Sequence, residues 1–404
     1  MAQQLVIAGA GHAAGQVVAT LKQKKFEGKI LLIGDEPWLP YQRPPLSKKF
    51  LAGELPAERL YFKPPSFYDE ANIEVRLNTT ITSINCVDRS ISTTTDDKIS
   101  YDKLILALGS RVRRVDVDGS GLDGVHYLRS IDDVERIRTN IDVTGNVVIV
   151  GAGYIGLEVA AVMRQLGHNV TVLELADRVM SRVVSPVVSE FFQQQHAAHG
   201  VQLQLSTGLK RFSGDNRVRA VETDDGQLFP ADVVVVGVGI VPNTEIAAAA
   251  GLQIDNGIIV DDRCRTSDAD IYAVGDCTAH PNGVYGRRLR LESVHNALEQ
   301  AKTAAANICG DDIRYSQVPW FWSDQYDLKL QIAGLSEAYD DIVIRGSPED
   351  GAFSCLYLRD GRLIACDAIN SPRDFMQSKT LISNRATIDP QRLVDSSTPL
   401  KDLA

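Results

Sequence analysis

Apolar residues fall along this chain in short runs broken by glycine loops, and one arrangement of run, loop and helical period occurs twice. In the first copy, Leu5–Ala8 is a short apolar run bounded by glycine, which predicts a strand. The loop GAGHAAG (Gly9 to Gly15) follows, then a helical pattern to about Lys24 and a second strand at Lys29–Ile33, ending at Asp35. The second copy has a strand at Val147–Val150, the loop GAGYIGLE (Gly151 to Glu158), and a helix over Tyr154–Leu166 with Gly167 just past its end. Its second strand, Asn169–Leu173, ends at Glu174. Strand, loop, helix and strand in alternation predict two α/β units of the Rossmann-like, parallel-sheet type.

Between the copies, Pro40, Pro44 and Pro45 in LPYQRPPLSKKFLAGE forbid a long helix at its start. Alternation at Ile73–Val75 and Thr79–Ile84 predicts further strands, and Tyr101–Ser110 reads as one buried strand stopped by Gly109. Ala231–Asn243 closes the second unit, Asp268–Cys277 holds a short strand ending in Gly275-Asp276, and Ser293–Cys309 is an alanine-rich helix. From Pro319 the texture changes to short alternating strands with a turn at Arg359-Asp360-Gly361, which predicts a small α+β domain. The expected division is a discontinuous first dinucleotide-binding domain (1–111 and 243–318), a second (112–242) and the C-terminal domain (319–404).

A length of 404 residues agrees with two or three domains. The net charge of −10 argues against nucleic acid, which needs a basic face. No apolar run nears the ~20 residues that span a bilayer. The longest, Ala231–Val241, is interrupted by Asp232, Gly237 and Gly239. No basic segment precedes the first strand, so a cytoplasmic protein without a membrane partner is expected. None of the six cysteines lies within five residues of another, which removes thiol-pair and zinc spacings. His196 and His199 form an HxxH, but Gly200 marks the helix end and no carboxylate ligand accompanies them; solvated histidines and no metal are expected.

The two loops carry the chemistry. Gly9 and Gly11 permit a tight turn and the approach of a pyrophosphate to a helix N-terminus, with Ala14 at the third fingerprint position. Asp35, 24 residues after Gly11, is spaced to accept from ribose hydroxyls. The second loop has Gly151, Gly153 and Gly156, and Glu174 follows Gly153 by 21 residues. A carboxylate there binds the ribose diol of NADH and repels the 2′-phosphate of NADPH. Unit charges at 4 Å cost about 1 kcal/mol in water and about 4 kcal/mol at an effective dielectric of 20. That gives a several-fold to several-hundred-fold preference for NADH, softened if Arg178 or Arg182 lies close. Two loops call for two dinucleotides, one resident and one visiting, and so for electron transfer from a nicotinamide through a bound flavin.

The order GAGHAAG, LPYQRPPLSK, LILALGS, GAGYIGLE, GVGIVPN, IYAVGDC and PWFWSDQ resembles the flavin-dependent NADH:ferredoxin reductases of bacterial oxygenase systems, of the glutathione-reductase structural class. The resemblance covers nearly the whole chain; RPPLSK and PWFWSDQ are its most specific pieces. It implies FAD on the first loop (Gly9, Gly11, Ala14, Asp35) and NADH on the second (Gly151, Gly153, Gly156, Glu158, Glu174, with Ile155, Arg182 and Gly239). It places Asp276 on the FAD ribityl chain, Ala13, Arg43, Lys48, Ile81, Arg129 and Val294 along FAD, and Trp320 over its ring. Lys48 and Glu158 meet beside the isoalloxazine in that family, the cation stabilising reduced flavin and the carboxylate fixing the lysine. The simpler readings stay open: a packed ion pair, an N-capping Asp276, and core aromatics at Trp320 and Trp322.

The implied activity is electron transfer from NADH through FAD to a 2Fe–2S ferredoxin that supplies a haem monooxygenase or ring-hydroxylating dioxygenase, as in aromatic hydrocarbon catabolism, by a monomer or homodimer. Arg287, Arg288, Arg290, Lys302 and Lys401, or Arg111, Arg113 and Arg114, are the candidate docking cations for an acidic ferredoxin. A disulfide reductase would need a close cysteine pair. An NADH oxidase would carry a cysteine near positions 43–48, where Arg43 and Ser47 stand. A redox-gated NADH-binding flavoprotein like apoptosis-inducing factor shares the Lys–Glu pair and is the other alternative. The chain departs from the family at Ala14, at Ala107-Leu108-Gly109 where a hydroxyl residue is usual, and at His295.

Overall fold

The computed structural model describes residues 3–141 and 145–403, which form two compact units. The first comprises Met1–Gln42, Glu58–Arg111 and Val241–Trp320. Its centre is a five-stranded sheet in the order Ile271–Ala273, Lys103–Leu106, Gln4–Ala8, Lys29–Ile33, Ile73–Arg76, with every neighbouring pair parallel. Successive side chains of a strand point to opposite faces, so LVIA in Gln4–Ala8 serves two cores at once. Leu5 and Ile7 pack with Val17, Val18 and Leu21 of helix His12–Gln23 and with Ala301, Ala304 and Ala305 of helix Val294–Ile308. Val6 and Ala8 face Leu31, Ile33, Leu104 and Ile91 on the other side. The alanines explain the composition of the second helix: small side chains let it lie close against the first.

The second unit comprises Arg43–Ala57, Val112–Ile240 and Phe321–Ala404. It repeats the parallel design in the order Gln202–Gln204, Asn169–Leu173, Asn146–Val150, Val233–Val236, Val125–Tyr127. Helix Ile131–Thr139 begins in a capping box, in which the Ser130 side chain accepts from the Asp133 amide and the Asp133 carboxylate accepts from the Ser130 amide. Towards the C-terminus, Leu328–Gly334, Arg362–Ile369, Ala352–Arg359 and Asp341–Ser347 pair antiparallel in turn, covered by helix Pro372–Ser383. The turn between Ala352–Arg359 and Arg362–Ile369 has φ of +50° at Asp360 and +71° at Gly361, the left-handed pair that a two-residue hairpin demands and Asp-Gly supplies.

Two apolar runs are longer than the strands they form. Tyr101–Ser110 resolves into Lys103–Leu106 and a separate Ser110–Val112, and Ala231–Asn243 into Val233–Val236 and Ile240–Pro242. The breaks fall at Gly109 and Gly239, whose φ of +60° and +107° turn the backbone out of the extended region.

Two buried ionisable groups organise the C-terminal part. Arg345, 3% exposed, donates from Nε to Asp374 at 3.1 Å and from its two terminal nitrogens to the carbonyls of Leu393, Asp395, Ser396 and Thr398. Asp367, 0% exposed, accepts from the Tyr357 hydroxyl at 2.5 Å while its Oδ1 has no partner, and the same hydroxyl receives the Ser185 amide at 3.1 Å. Burial pushes the Asp367 carboxyl up from 3.8 to about 7, with the Tyr357 bond partly opposing. The folded protein therefore holds a proton that the unfolded chain has released, and the stability carried by neutral Asp367 is full below pH 3.8 and lost as pH rises through about 7. Asp367→Asn keeps an acceptor for Tyr357 without the charge. It is expected to flatten the fall in melting temperature between pH 5 and pH 8 in a calorimetric series. An unchanged slope would place the titrating group elsewhere.

Candidate functional site

In the first unit the glycine loop leaves the carboxyl end of the central strand. Gly9 has φ +106°, and a Cβ there would lie 2.3 Å from the Ala107 carbonyl oxygen. At Gly11, which opens helix His12–Gln23, a Cβ would meet nothing within 4 Å. That clear space at the helix N-terminus is the cradle a pyrophosphate requires, so these residues fit a dinucleotide. Ala13 and Ala14 are buried in the helix's first turn, and Asp35 is exposed just beyond Lys29–Ile33. Asp276 follows Gly275, where a Cβ would lie 3.6 Å from Ala13 and 3.7 Å from Ala297. The Asp276 carboxylate accepts from the Ser110 hydroxyl at 2.8 Å. Val294 begins its helix behind Ser293, whose side chain accepts from the Asn296 amide at 3.1 Å. His295, next along, lies tilted against Trp320 with centroids 5.3 Å apart. Gly9, Gly11, Ala13, Asp276 and the start of this helix are thus gathered at one end of the sheet. Ile81 opens strand Ile81–Asn85, its side chain packed in the core on the other face of the sheet.

In the second unit, Gly151 has φ +103° and its Cβ would lie 2.5 Å from the Gly237 oxygen, while at Gly153 the space is again clear to 4 Å. Gly156 sits against the loop itself, its Cβ position 2.0 Å from the Gly151 oxygen. Glu174 reaches back to this loop: one carboxylate oxygen accepts from the Ala152 amide at 2.7 Å and the other from the Ala176 amide at 2.8 Å. Arg178, a candidate for softening the charge of Glu174, is engaged elsewhere, donating to the carbonyls of Val184 and Ser181 and the hydroxyl of Ser189. Arg182 stands beside Gly239, 3.8 Å from where a Cβ there would lie. Ile155 is 41% exposed on the first turn of helix Tyr154–Gln165.

Three residues expected along FAD, namely Arg43, Lys48 and Arg129, belong to this second unit. Arg43 donates to the Arg129 carbonyl at 2.5 Å. The Lys48 ammonium lies 2.7 Å from Glu158 Oε2, with the carboxylate 4% exposed. Pro44–Ser47 forms a single tight helical turn that delivers both Ser47 and Lys48 to this carboxylate, the Ser47 hydroxyl donating at 2.5 Å. Ser323 donates to Oε1 at 2.7 Å. Removed from water, a carboxylate needs this many donors, and a cation tied to it is fixed in place.

Residues 3–301 match the pyridine nucleotide-disulphide oxidoreductase family, and residues 320–404 match the reductase C-terminal domain. The ferredoxin reductase subunit of 5,5′-dehydrodivanillate O-demethylase from Sphingobium sp. is 43% identical over 401 residues, covering 98% of this chain and 97% of the relative. Putidaredoxin reductase of Pseudomonas putida is 42% identical over 405 residues, 99% of this chain and 96% of the relative. The chain belongs to the FAD-dependent NADH:ferredoxin reductase family of bacterial oxygenase systems. Solved structures agree with this reductase along its whole length. The ferredoxin reductase for the CYP199A2 system from Rhodopseudomonas palustris has a TM-score of 0.96 at 41% identity, covering 100% of both chains. The reductase in the covalent putidaredoxin reductase–putidaredoxin complex also gives 0.96, at 42% identity over 99% of this chain and 97% of that one. A water-forming NADH oxidase from Lactobacillus brevis, 20% identical, shares the fold alone. These relatives do not favour the oxidase or the redox-gated binding protein as the activity.

One expectation is corrected. His196 is not solvated: it is 0% exposed, bonded to Gln325 and to Tyr326, and burial pushes its ring down to about 4. Only His199 of the pair is exposed, lying flat against the Tyr326 ring. Among the described residues no group of three potential ligands could hold a metal ion, no helix is long and apolar enough to cross a membrane, and all six cysteines are free. The sequence reading missed Ser47, Ser110 and Ser323. Ser47 and Ser323 lay inside motifs already singled out, RPPLSK and PWFWSDQ, and Ser110 directly follows the Gly109 of the hydroxyl-free Ala107-Leu108-Gly109.

Proposed function

We propose that this reductase takes electrons from NADH through FAD to a 2Fe–2S ferredoxin, which serves a monooxygenase or a ring-hydroxylating dioxygenase. The observation that carries the reading is the pair of glycine loops, one in each unit, each with clear space at its second glycine and a carboxylate after the next strand. In this reading 1–111 with 243–318 holds FAD, 112–242 holds NADH and 319–404 is the C-terminal domain. FAD, when bound, accepts a hydride from a nicotinamide and gives up its electrons one at a time, which is what a one-electron iron–sulfur acceptor requires. Gly9, Gly11, Ala13, Ala14, Asp35, Asp276, Val294 and Trp320 are the residues for that cofactor, with Ile81 through its main chain and with Arg43 and Arg129. Lys48 supplies fixed positive charge to the reduced flavin, and Glu158 fixes Lys48 and borders the nicotinamide. Gly151, Gly153, Ile155, Gly156, Glu174, Arg182 and Gly239 receive NADH. Arg287, Arg288, Arg290, Lys302 and Lys401, or Arg111, Arg113 and Arg114, are the docking candidates. The cytoplasm, which supplies NADH, is the proposed location, and the assembly a monomer or homodimer.

Anaerobic stopped-flow absorbance tests this reading. Mixing with NADH is expected to bleach the flavin rapidly, and a 2Fe–2S ferredoxin added next is expected to reoxidise it. Bleaching without onward transfer would reject the acceptor; no flavin after reconstitution would reject the cofactor.

Glu174 carries a separate expectation. Its ribose-facing charge gives the preference for NADH, and Glu174→Gln removes that charge while keeping one oxygen to accept from a loop amide. The ratio of kcat/KM for NADH over NADPH is expected to fall about tenfold, the equivalent of about 1.4 kcal/mol. A ratio that does not move would assign coenzyme choice to Arg182 and its surroundings.

A further inference from the structure

A run of buried side chains leads from Glu158 to the surface within the second unit. Ser323 Oγ donates to Glu158 Oε1 at 2.7 Å and accepts from Gln325 Nε2 at 3.1 Å. Gln325 Oε1 lies 2.8 Å from His196 Nε2, and His196 Nδ1 lies 3.2 Å from the Tyr326 hydroxyl. The run closes where the ring of His199 stacks on Tyr326 at 3.7 Å and 12°. Ser323 and His196 are 0% exposed and Gln325 is 1% exposed.

The direction of every bond is forced from the inner end. An ionised carboxylate only accepts, so Ser323 must donate to Glu158 and offer its lone pair to the Gln325 amide nitrogen. That turns the Gln325 oxygen towards His196, which must carry its proton on Nε2 and accept from Tyr326 at Nδ1. Burial, only partly opposed by the bond to Gln325, keeps the ring neutral near pH 7, the form that satisfies both neighbours. The run also does something that Lys48 and Ser47 do not. Both of those bind Oε2; Ser323 holds Oε1, so that rotation of the carboxylate about its Cγ–Cδ bond would break donors on both oxygens.

We propose that Ser323, Gln325 and His196 are positioning residues that fix the carboxylate plane of Glu158 and, through it, the ammonium of Lys48. The proposal rests on the reading of Lys48 and Glu158 as the pair that serves the redox step. Small displacements at such a pair have large effects on rate, because the donor geometry must match the charge that develops.

The test uses the flavin-loaded full chain, with Ser323→Ala, Gln325→Met, His196→Gln and His196→Phe beside the reference variants Lys48→Met and Glu158→Gln. Ser323→Ala and Gln325→Met are expected to slow flavin reduction by NADH about tenfold, with flavin content and NADH Kd unchanged. His196→Gln, whose amide can still donate to Gln325, is expected within threefold of the native rate, and His196→Phe is expected to match Gln325→Met. Because His196→Phe sits in a fully buried position and need not fold, the Gln pair carries the comparison. Independently of turnover, 15N NMR of histidine-labelled protein without NADH is expected to show the His196 proton on Nε2 and no titration down to pH 5. Native rates in Ser323→Ala and Gln325→Met, with the two reference variants slowed, would overturn the proposal, as would a proton on Nδ1. Should the reference variants themselves reduce at the native rate, the reading of the Lys48–Glu158 pair fails and the proposal with it; the NMR result would then mark the run as a structural strut.

Discussion

Gly9→Ala is expected to yield protein without flavin, whereas Gly151→Ala is expected to keep its flavin and lose its grip on NADH. Both glycines have φ above +100°, where an L side chain is strained by about 1–3 kcal/mol. In both, the new methyl would also collide with a main-chain oxygen, at 2.3 Å from Ala107 and 2.5 Å from Gly237. Neither oxygen is the tip of a side chain that can swing away; each belongs to a strand end or loop beside the fingerprint. The loop must move, and the amides that would meet the pyrophosphate move with it. For Gly151→Ala the NADH Kd is expected to rise about a hundredfold, the equivalent of about 2.8 kcal/mol. The flavin-to-protein absorbance ratio reads the first effect and an NADH titration reads the second. Full flavin content in Gly9→Ala would take FAD off the first loop, and loss of flavin in Gly151→Ala would mean that the two loops do not work separately.

The largest effect on stability is expected at Arg345→Met. The guanidinium is almost wholly buried and tied to five acceptors, four of them carbonyls of the segment from Leu393 to Thr398. Methionine fills part of the volume but leaves those carbonyls and the Asp374 carboxylate without their donor. Breaking a buried charged pair by removing one partner typically costs about 3–5 kcal/mol. Ser354 still donates to Asp374 at 3.1 Å, which favours the lower part of that range. A lowered denaturation midpoint should be accompanied by early protease cleavage between residues 393 and 403. A midpoint within experimental error of the native protein would show that solvent takes over the carbonyls at little cost.

The two Rossmann-like units were legible because their signals are local. Asn169–Leu173 lies in the structure where its apolar run and following acid place it, and helix Tyr154–Gln165 ends one residue short of its expected limit. A parallel strand buried on both faces is written as a continuous apolar run, and the glycines mark its end. What the sequence could not show was pairing over distance. The HxxH of His196 and His199 is identical on paper whether its helix meets water or a sheet, and the partner that decides, Gln325, is 129 residues away. Ser323 is likewise 165 residues from Glu158, and a serine in a tryptophan-rich strand carries no mark of what it will bond. Arg345 reads as an ordinary strand charge until the tail that covers it is placed. The difference at Tyr101–Ser110 is of another kind: the apolar run continues to Leu108, but the strand ends at Leu106, ahead of the Gly109 expected to stop it.

Glu174 accepts from the amides of Ala152 and Ala176. The side chain that would choose the coenzyme is therefore also a tie within the loop that would receive it. A lineage drifting towards NADPH could not reach it by neutralising this one position without loosening the loop for both coenzymes. A new acceptor for the Ala152 amide would have to arise first, so the order of substitutions along such a path is constrained by the backbone rather than by the ligand.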